Sequence, residues 1–217
     1  MEAIEEQLAL LTESLRTNME RRLQTDPLGM KSWKLPQPRV CVMEAKRSRL
    51  ILGWYSSQRW KQGAVKLNEI VLTPAAVSKG VFNAAGIVAH ELVHLANAMA
   101  GREDTSRQGR YHNKVFKTTA EVMGLVVAKD GIDGWCDTQL GDELNEHVRD
   151  LIRRGVLDSH VFKYHRRSGR ASEASLVKLT AACGVFAYVT RKQADKVILR
   201  CGECGEILTA TPNRARR

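Results

Sequence analysis

The chain has 217 residues, of which 43% are hydrophobic and 27% charged, enough apolar material for a packed core and too much for a disordered chain. An odd count of five cysteines behind a MEAIEEQ start argues against a secreted disulfide scaffold, and no apolar run reaches the roughly 18 residues of a membrane span. Net charge is +10 and unevenly spread: residues 1–145 hold 19 basic and 17 acidic residues, residues 146–217 hold 15 and 7, so a near-neutral body precedes a basic C-terminal third.

Residues 3–24 place Ile4, Leu8, Leu11, Leu15, Met19 and Leu23 at spacings of four and three, the apolar stripe of an amphipathic helix. TDPLG breaks it. RVCVMEA (39–45) and LILGWYSS (50–57) read as short strands around a basic turn, KRSR, and NEIVLTP (68–74) reads as a third, ended by Pro74. The three are expected to form one small antiparallel sheet. From about Pro74 to Ala100 the spacing is helical, with Gly101 as the stop. REDTSRQGRY has loop chemistry. HNKVFKTTAEVMGLVV (112–127) returns to helical spacing through Phe116, Ala120, Met123 and Val127. DGIDG is a turn, and ELNEHVRDLIRRG (143–155) is a last helix. KYHRRSGRASEAS (163–175) has linker composition, and a short β-like segment with three cysteines follows. The expected class is α+β: a domain over 1–157 with its N-terminal helix, a basic linker over 158–175, a small β module over 176–210 and a basic tail over 211–217.

HELVH, residues 90–94, interrupts the apolar run GIVAHELVHLANAMAG. Residues four apart share one face of a helix, so His90 and His94 can present imidazole nitrogens to one zinc ion, and Glu91 can address a water beside it. By average residue usage such a triplet arises by chance on the order of once per hundred chains of this length, so its context matters. The flanking Ile87, Val88, Leu92, Val93 and Leu95 would bury one side. Two core histidines that happen to lie four apart are the plainer alternative, but unpaired burial costs about 1–3 kcal/mol per polar group.

A catalytic zinc takes three protein ligands and keeps a fourth position open. His112, opening a helix after a polar loop of suitable length, is the first candidate for the third ligand. Glu121 is the second. Asp104 is the third, or else orients a histidine from behind. His147, His160 and His165 read as surface residues.

HELVH, then DTSRQGRYHNKVFK with His112 four before Phe116, then AEVMGL, resembles the SprT/Spartan-type zinc metallopeptidases. LGWYSSQRW followed by NEIVLTP is similar to that family's strand region. The likeness runs from about Val40 to Leu140 and extends toward the cysteine module. HExxH alone is shared by many zincins, and the YHNxxF segment at this distance is the more specific part. The resemblance implies a zincin-like SprT-like domain, a small antiparallel sheet packed on helices around the HExxH helix, followed by a C-terminal β zinc-ribbon-like module. It implies His90, His94 and His112 as ligands of one catalytic zinc and Glu91 as the catalytic acid/base. It also implies an endopeptidase acting on DNA-associated proteins, as in DNA–protein crosslink repair. Such an enzyme is expected to be cytoplasmic and nucleoid-associated, monomeric, with DNA and protein substrates as partners and no membrane. In the expected chemistry Glu91 takes the proton of a zinc-activated water as it attacks a peptide carbonyl, then passes it to the leaving amine. Tyr111 is a candidate for a further oxyanion donor, and Met123 either supports the metal from beneath or belongs to the ordinary core.

In CGVFAYVTRKQADKVILRCGECG, Cys201 and Cys204 form a CxxC knuckle and Cys183 lies one strand earlier. Two knuckles make a zinc ribbon. Relatives of this type often carry CxCG or CxxCG at the first, and here those places hold Ala181 and Thr180. The module therefore borrows a ligand such as Cys136 or His165, holds a second zinc weakly with water, or folds without metal. Arg166, Arg167, Arg170, Arg191, Lys192, Lys196 and Arg200, with the terminal RARR, suit contact with a polyanion, and Phe186 and Tyr188 alternating on one strand suit base stacking. The plainer readings are a solvated basic surface and two core aromatics. The main rival to the enzyme is a non-catalytic zinc-stabilised DNA-binding or regulatory protein. A peptidase with one dedicated protein target is the third reading.

Overall fold

A computed structural model describes residues 2–25, 34–45, 51–62, 65–162, 176–194, 196 and 198–210. His165, Arg166, Arg167, Arg170 and the terminal RARR lie outside the described residues, as do the side chains of Arg191 and Lys192. The chain divides into two compact units, Met1–Tyr164 and His165–Arg217. The first runs past the boundary expected at 157: Leu157 and Phe162 are buried in its core.

In the first unit the N-terminal stripe forms α1 (Glu2–Thr25), and Leu8, Leu11, Leu15, Met19 and Leu23 are all fully buried. Burial of each is worth about 1.5–3 kcal/mol, which fixes the helix against the core. Next come β1 (Arg39–Val42), β2 (Gly53–Gln62) and β3 (Val65–Leu72), in the order β1-β3-β2. This corrects the antiparallel expectation. β2 and β3 pair antiparallel, but β1 pairs parallel to β3, Val40 opposite Ile70. KRSR lies outside the described residues, and β1 and β2 flank β3 without pairing with each other. The chain passes from β1 to the far side of β3, an order that alternating apolar residues do not encode.

Thr73 caps α2 (Pro74–Val77), its hydroxyl accepting from the Ala76 amide at 3.2 Å. The expected long helix is divided there, and α3 (Val81–Met99) follows after Gly80. α3 packs against α1, β2 and β3 as well as the later elements, and Ala84, Val88, Leu92, Leu95 and Ala96 along it are fully buried. The polar loop contains two short strands, β4 (Thr105–Ser106) and β5 (Tyr111–His112). Asn113 caps α4 (Lys114–Val122), its side chain accepting from Val115 and Phe116 amides.

That helix is shorter than its apolar spacing implied. Gly124, in the left-handed region at φ +95°, ends it, and Leu125–Val127 enter β6 (Leu125–Asp130), which forms a hairpin with β7 (Gly134–Leu140) around the expected turn. The second sheet has the order β4-β5-β7-β6, and α5 (Asp142–Arg153) completes the unit. The second unit is a small sheet, order β10-β8-β9, built from β8 (Leu176–Thr180), β9 (Phe186–Thr190) and β10 (Thr209–Ala210), with α6 (Arg191–Ala194). Leu179, Ala181, Cys201 and Leu208 form its core. Among the described residues the protein is thus mixed α+β with three small sheets. Among the described residues no helix is long and apolar enough to cross a membrane.

Candidate metal centre

α3 places His90 and His94 one turn apart on one face, and β5 brings His112 over that face. The three imidazoles converge: His112 Nε2 lies 3.2 Å from Nε2 of His90 and 3.2 Å from Nε2 of His94. A tetrahedral ion with Zn–N bonds of about 2.0–2.1 Å requires nitrogens about 3.4 Å apart, so the spacing fits one shared cation. A neighbouring carboxylate bears on one tautomer. Asp104 Oδ2 lies 2.8 Å from His94 Nδ1, and a carboxylate can only accept. Neutral His94 then carries its proton on Nδ1 and turns a bare lone pair toward His112. That lone pair is satisfied by a shared metal ion or by a proton on His112 Nε2.

The supporting contacts reach across elements. His90 Nδ1 is hydrogen-bonded to Thr138 Oγ1 on β7 at 2.9 Å. Asp104 also accepts from Asn97 Nδ2 at 3.0 Å, and Asn97 Oδ1 accepts from Thr119 on α4 at 2.8 Å. Asp104, Asn97 and Thr119 are all buried. Asp104 therefore orients His94 from behind, one of the two roles its place in sequence left open. His112 Nδ1 has no hydrogen-bond partner among the described residues. Its ring is held by backbone, the His112 amide donating to the Asp133 carbonyl at 2.9 Å. Beneath all three rings sits Phe116, with centroids 4.6–4.9 Å from theirs. Met123, weighed for that place, is ordinary buried core.

Glu91 is buried on the same turn of α3, reached by the Tyr55 backbone amide of β2. Burial pushes its carboxyl up to about 7, against the pull of His94 and that amide. Burial, then the neighbouring His94 and His112, holds His90 well below its ordinary value. Burial also opposes charge on His94, but the Asp104 hydrogen bond and the Glu91 charge outweigh it and leave that histidine raised. Burial and His94 lower His112.

A cleft runs to both sides of the histidines. One arm, of about 630 Å³, is bordered by Leu52, Phe82, Ile87, Thr138, Gln139 and Leu140. The other, of about 860 Å³, is bordered by Trp54, Tyr55, Arg102, Thr105, Arg110 and Asp133. Gly53, His90, Glu91, His112 and Cys136 border both. β2 is an edge strand of its sheet, β7 meets β5 only at Gly134, and residues of both strands line the cleft. At Gly53 β2 lies close against α3 and β3: a Cβ there would stand 2.6 Å from Ile87 Cγ2, 2.9 Å from the Val71 carbonyl oxygen and 3.7 Å from Glu91 Oε1.

Other sequence candidates fall elsewhere. Glu121 is exposed and pairs with Lys117 at 2.8 Å, away from the centre. Tyr111 precedes His112 on β5, lies beneath the Arg107 guanidinium and borders neither arm. His147 is half-buried rather than on the surface, its Nε2 2.8 Å from Ser14 Oγ, whereas His160 is exposed. Asn97, Thr119 and Thr138 were missed. Only Asn97 left a trace, as a polar residue three positions after His94 in an otherwise apolar run.

In the second unit the Sγ atoms of Cys183, Cys201 and Cys204 lie within 4.8 Å of one another. The Glu203 and Cys204 amides point at Cys201 Sγ, as a CxxC knuckle requires. All five cysteines are unbridged. The protein thus has a three-histidine group and a three-cysteine group that could each hold a metal. Phe186 and Tyr188 are 52% and 59% exposed, which removes them from the core. Their centroids lie 5.8 Å apart, with Lys178 Nζ 4.1 Å from the Phe186 ring. Lys196 and Arg200 are also exposed. The chain matches no protein-family model, no curated protein and no solved structure, so the site is read from its own chemistry.

Proposed function

We propose that this chain is a zinc-dependent endopeptidase of the SprT-like, zincin type that cleaves DNA-associated proteins. The observation that carries the reading is the convergence of His90, His94 and His112 beside the buried carboxylate of Glu91 in a cleft with two arms. A zinc ion bound there supplies the Lewis acidity that activates water and polarises a peptide carbonyl.

The chain's own residues do the rest. His90, His94 and His112 hold the ion, with Thr138 and Asp104 fixing two of the rings. Glu91, buried beside the three histidines, takes the proton of the attacking water and returns it to the leaving amine. A peptide laid along the margin of β2 passes through both arms, which favours cleavage within a chain over trimming of its ends. The rival, a closed structural zinc, needs a fourth side chain. Among the described residues the group comprises three.

For the nucleic acid half, the exposed Phe186–Tyr188 pair with Lys178 alongside is suited to stacking on unpaired bases, and the basic residues to holding phosphates. The test is cleavage of a DNA-bound protein by the zinc-loaded chain, with and without single- and double-stranded DNA. Glu91→Gln is expected to retain zinc and lose at least about a hundredfold in rate. A Gln variant that cuts as fast as wild type removes the assigned mechanism. DNA without effect on binding or rate removes the DNA half.

A further inference from the structure

Among the described residues three glycines border the cleft, and they differ in what requires them. Gly53 lies too close to Ile87 and the Val71 carbonyl for a Cβ, and Gly109 turns the chain in the left-handed region at φ +85°. Gly86 has neither reason. It lies inside α3, where glycine is less stable than alanine, and a Cβ built on it meets no atom within 4 Å. Phe82, Gly86 and His90 follow one another at spacings of four, so they form one row along α3, and all three border the arm of about 630 Å³. The missing side chain therefore leaves the floor of that arm open one turn from His90.

The walls around this opening are apolar: Leu52, Ile87, Leu140 and Phe82, the last 40% exposed. Polar groups alongside are already engaged. Asn83 Nδ2 donates to the Ala76 carbonyl and Asn145 Nδ2 to the Leu140 carbonyl, both at 2.8 Å, and Thr138 Oγ1 is bonded to His90. The carboxylates that border the arm, Glu91 and Asp137, disfavour an anionic side chain there. Residues one helical turn apart stand about 5–6 Å from each other, and an extended peptide advances about 3.3 Å per residue. A side chain seated over Gly86 thus belongs to a residue within two positions of a bond held beside His90 and Glu91.

We propose that this arm is a side-chain pocket for a large apolar residue, of the leucine or phenylalanine class, within two residues of the bond that is cut, and that Gly86 sets its depth. The inference deepens the endopeptidase reading and rests on it. Apolar burial supplies the preference, and an alanine side chain is too short to fill the space.

A peptide set and two variants test this. The peptides are identical serine–glycine chains with one guest position holding Phe, Leu, Lys, Glu or Ala. The zinc-loaded wild type is expected to cut within two residues of Phe or Leu, mapped by mass spectrometry, with kcat/KM at least about tenfold above that for the other three. Gly86→Ala and Gly86→Leu are expected to unfold at higher urea than wild type, because helix propensity improves and nothing is displaced. Gly86→Leu is nevertheless expected to lose at least about tenfold on the Phe and Leu peptides and to stay within about twofold on the Ala peptide. The pocket is overturned if wild type prefers Lys or has no preference, if Gly86→Leu cuts the Phe peptide as wild type does, or if it loses all peptides alike. Binding of the same peptides to zinc-loaded Glu91→Gln, read by fluorescence anisotropy, separates the two readings. Tighter binding of the Phe peptide than of the Ala peptide, with no peptide cut by wild type, overturns the endopeptidase and supports the pocket. Equal binding alongside cutting overturns the pocket alone.

Discussion

Asp104 Oδ2 stands 2.8 Å from His94 Nδ1 and 3.0 Å from Asn97 Nδ2, so one buried carboxylate fixes the tautomer of a metal-facing imidazole. Partners of this kind are typically worth about 10–100-fold in metal affinity. Asp104→Ala is expected to weaken zinc binding by about that factor, read by competition with a chromogenic chelator. Unchanged affinity would mean that the backbone and Phe116 alone orient the ring.

Gly53→Ala places a methyl group against Ile87 Cγ2 and the Val71 carbonyl, and the backbone oxygen cannot yield. β2 must shift against β3 as well as α3, at a cost of about 1–3 kcal/mol in stability. The Tyr55 amide, two residues on, leaves Glu91 with it. Urea unfolding is expected to show the loss, and cleavage to fall further than the unfolded fraction explains. Wild-type stability would refute the close approach.

His147 gives a pH dependence whose sign follows from its surroundings. Burial is the chief cause of its lowered pKa, and Arg21 and Arg22 on α1 add to it against Ser14 and Asp150. In the unfolded chain it titrates near its ordinary value of about 6.5. Below that pH the unfolded state binds a proton that the folded state refuses, so stability is complete above about 6.5 and falls as pH drops toward the folded pKa. His147→Gln, compared with wild type in denaturation at neutral and mildly acidic pH, is expected to flatten this slope. Identical slopes would remove His147 as a cause.

The second unit offers a binding prediction. Stacking on an aromatic side chain contributes about 1–3 kcal/mol per base. Phe186→Ala and Tyr188→Ala are each expected to weaken binding to a single-stranded oligonucleotide by about that amount without changing the salt slope. Lys178→Ala should reduce the slope instead. Equal binding by all variants would return the surface to a solvated face.

Much of the centre was legible because it lies in local spacing. His90 and His94 follow from helical period, and α1 buries the stripe its sequence displays. What escaped notice depends on contacts between distant segments. Thr138 meets His90 only because β7 runs beside β5, and β6, the hairpin partner of β7, lay hidden where Val126 and Val127 prolong the apolar spacing of α4. Gly124 was the overlooked stop. The parallel pairing of β1 with β3 was equally out of reach, since three apolar strands read the same in any order.

The strands β2 and β7, which line the cleft, carry a consequence for any polypeptide that enters between them. A tightly folded domain keeps its main chain engaged in its own ladders and has none to lend. On the proposed reading, a target must first surrender a stretch of its own order, so susceptibility would track how readily that target frays more than which residues it displays.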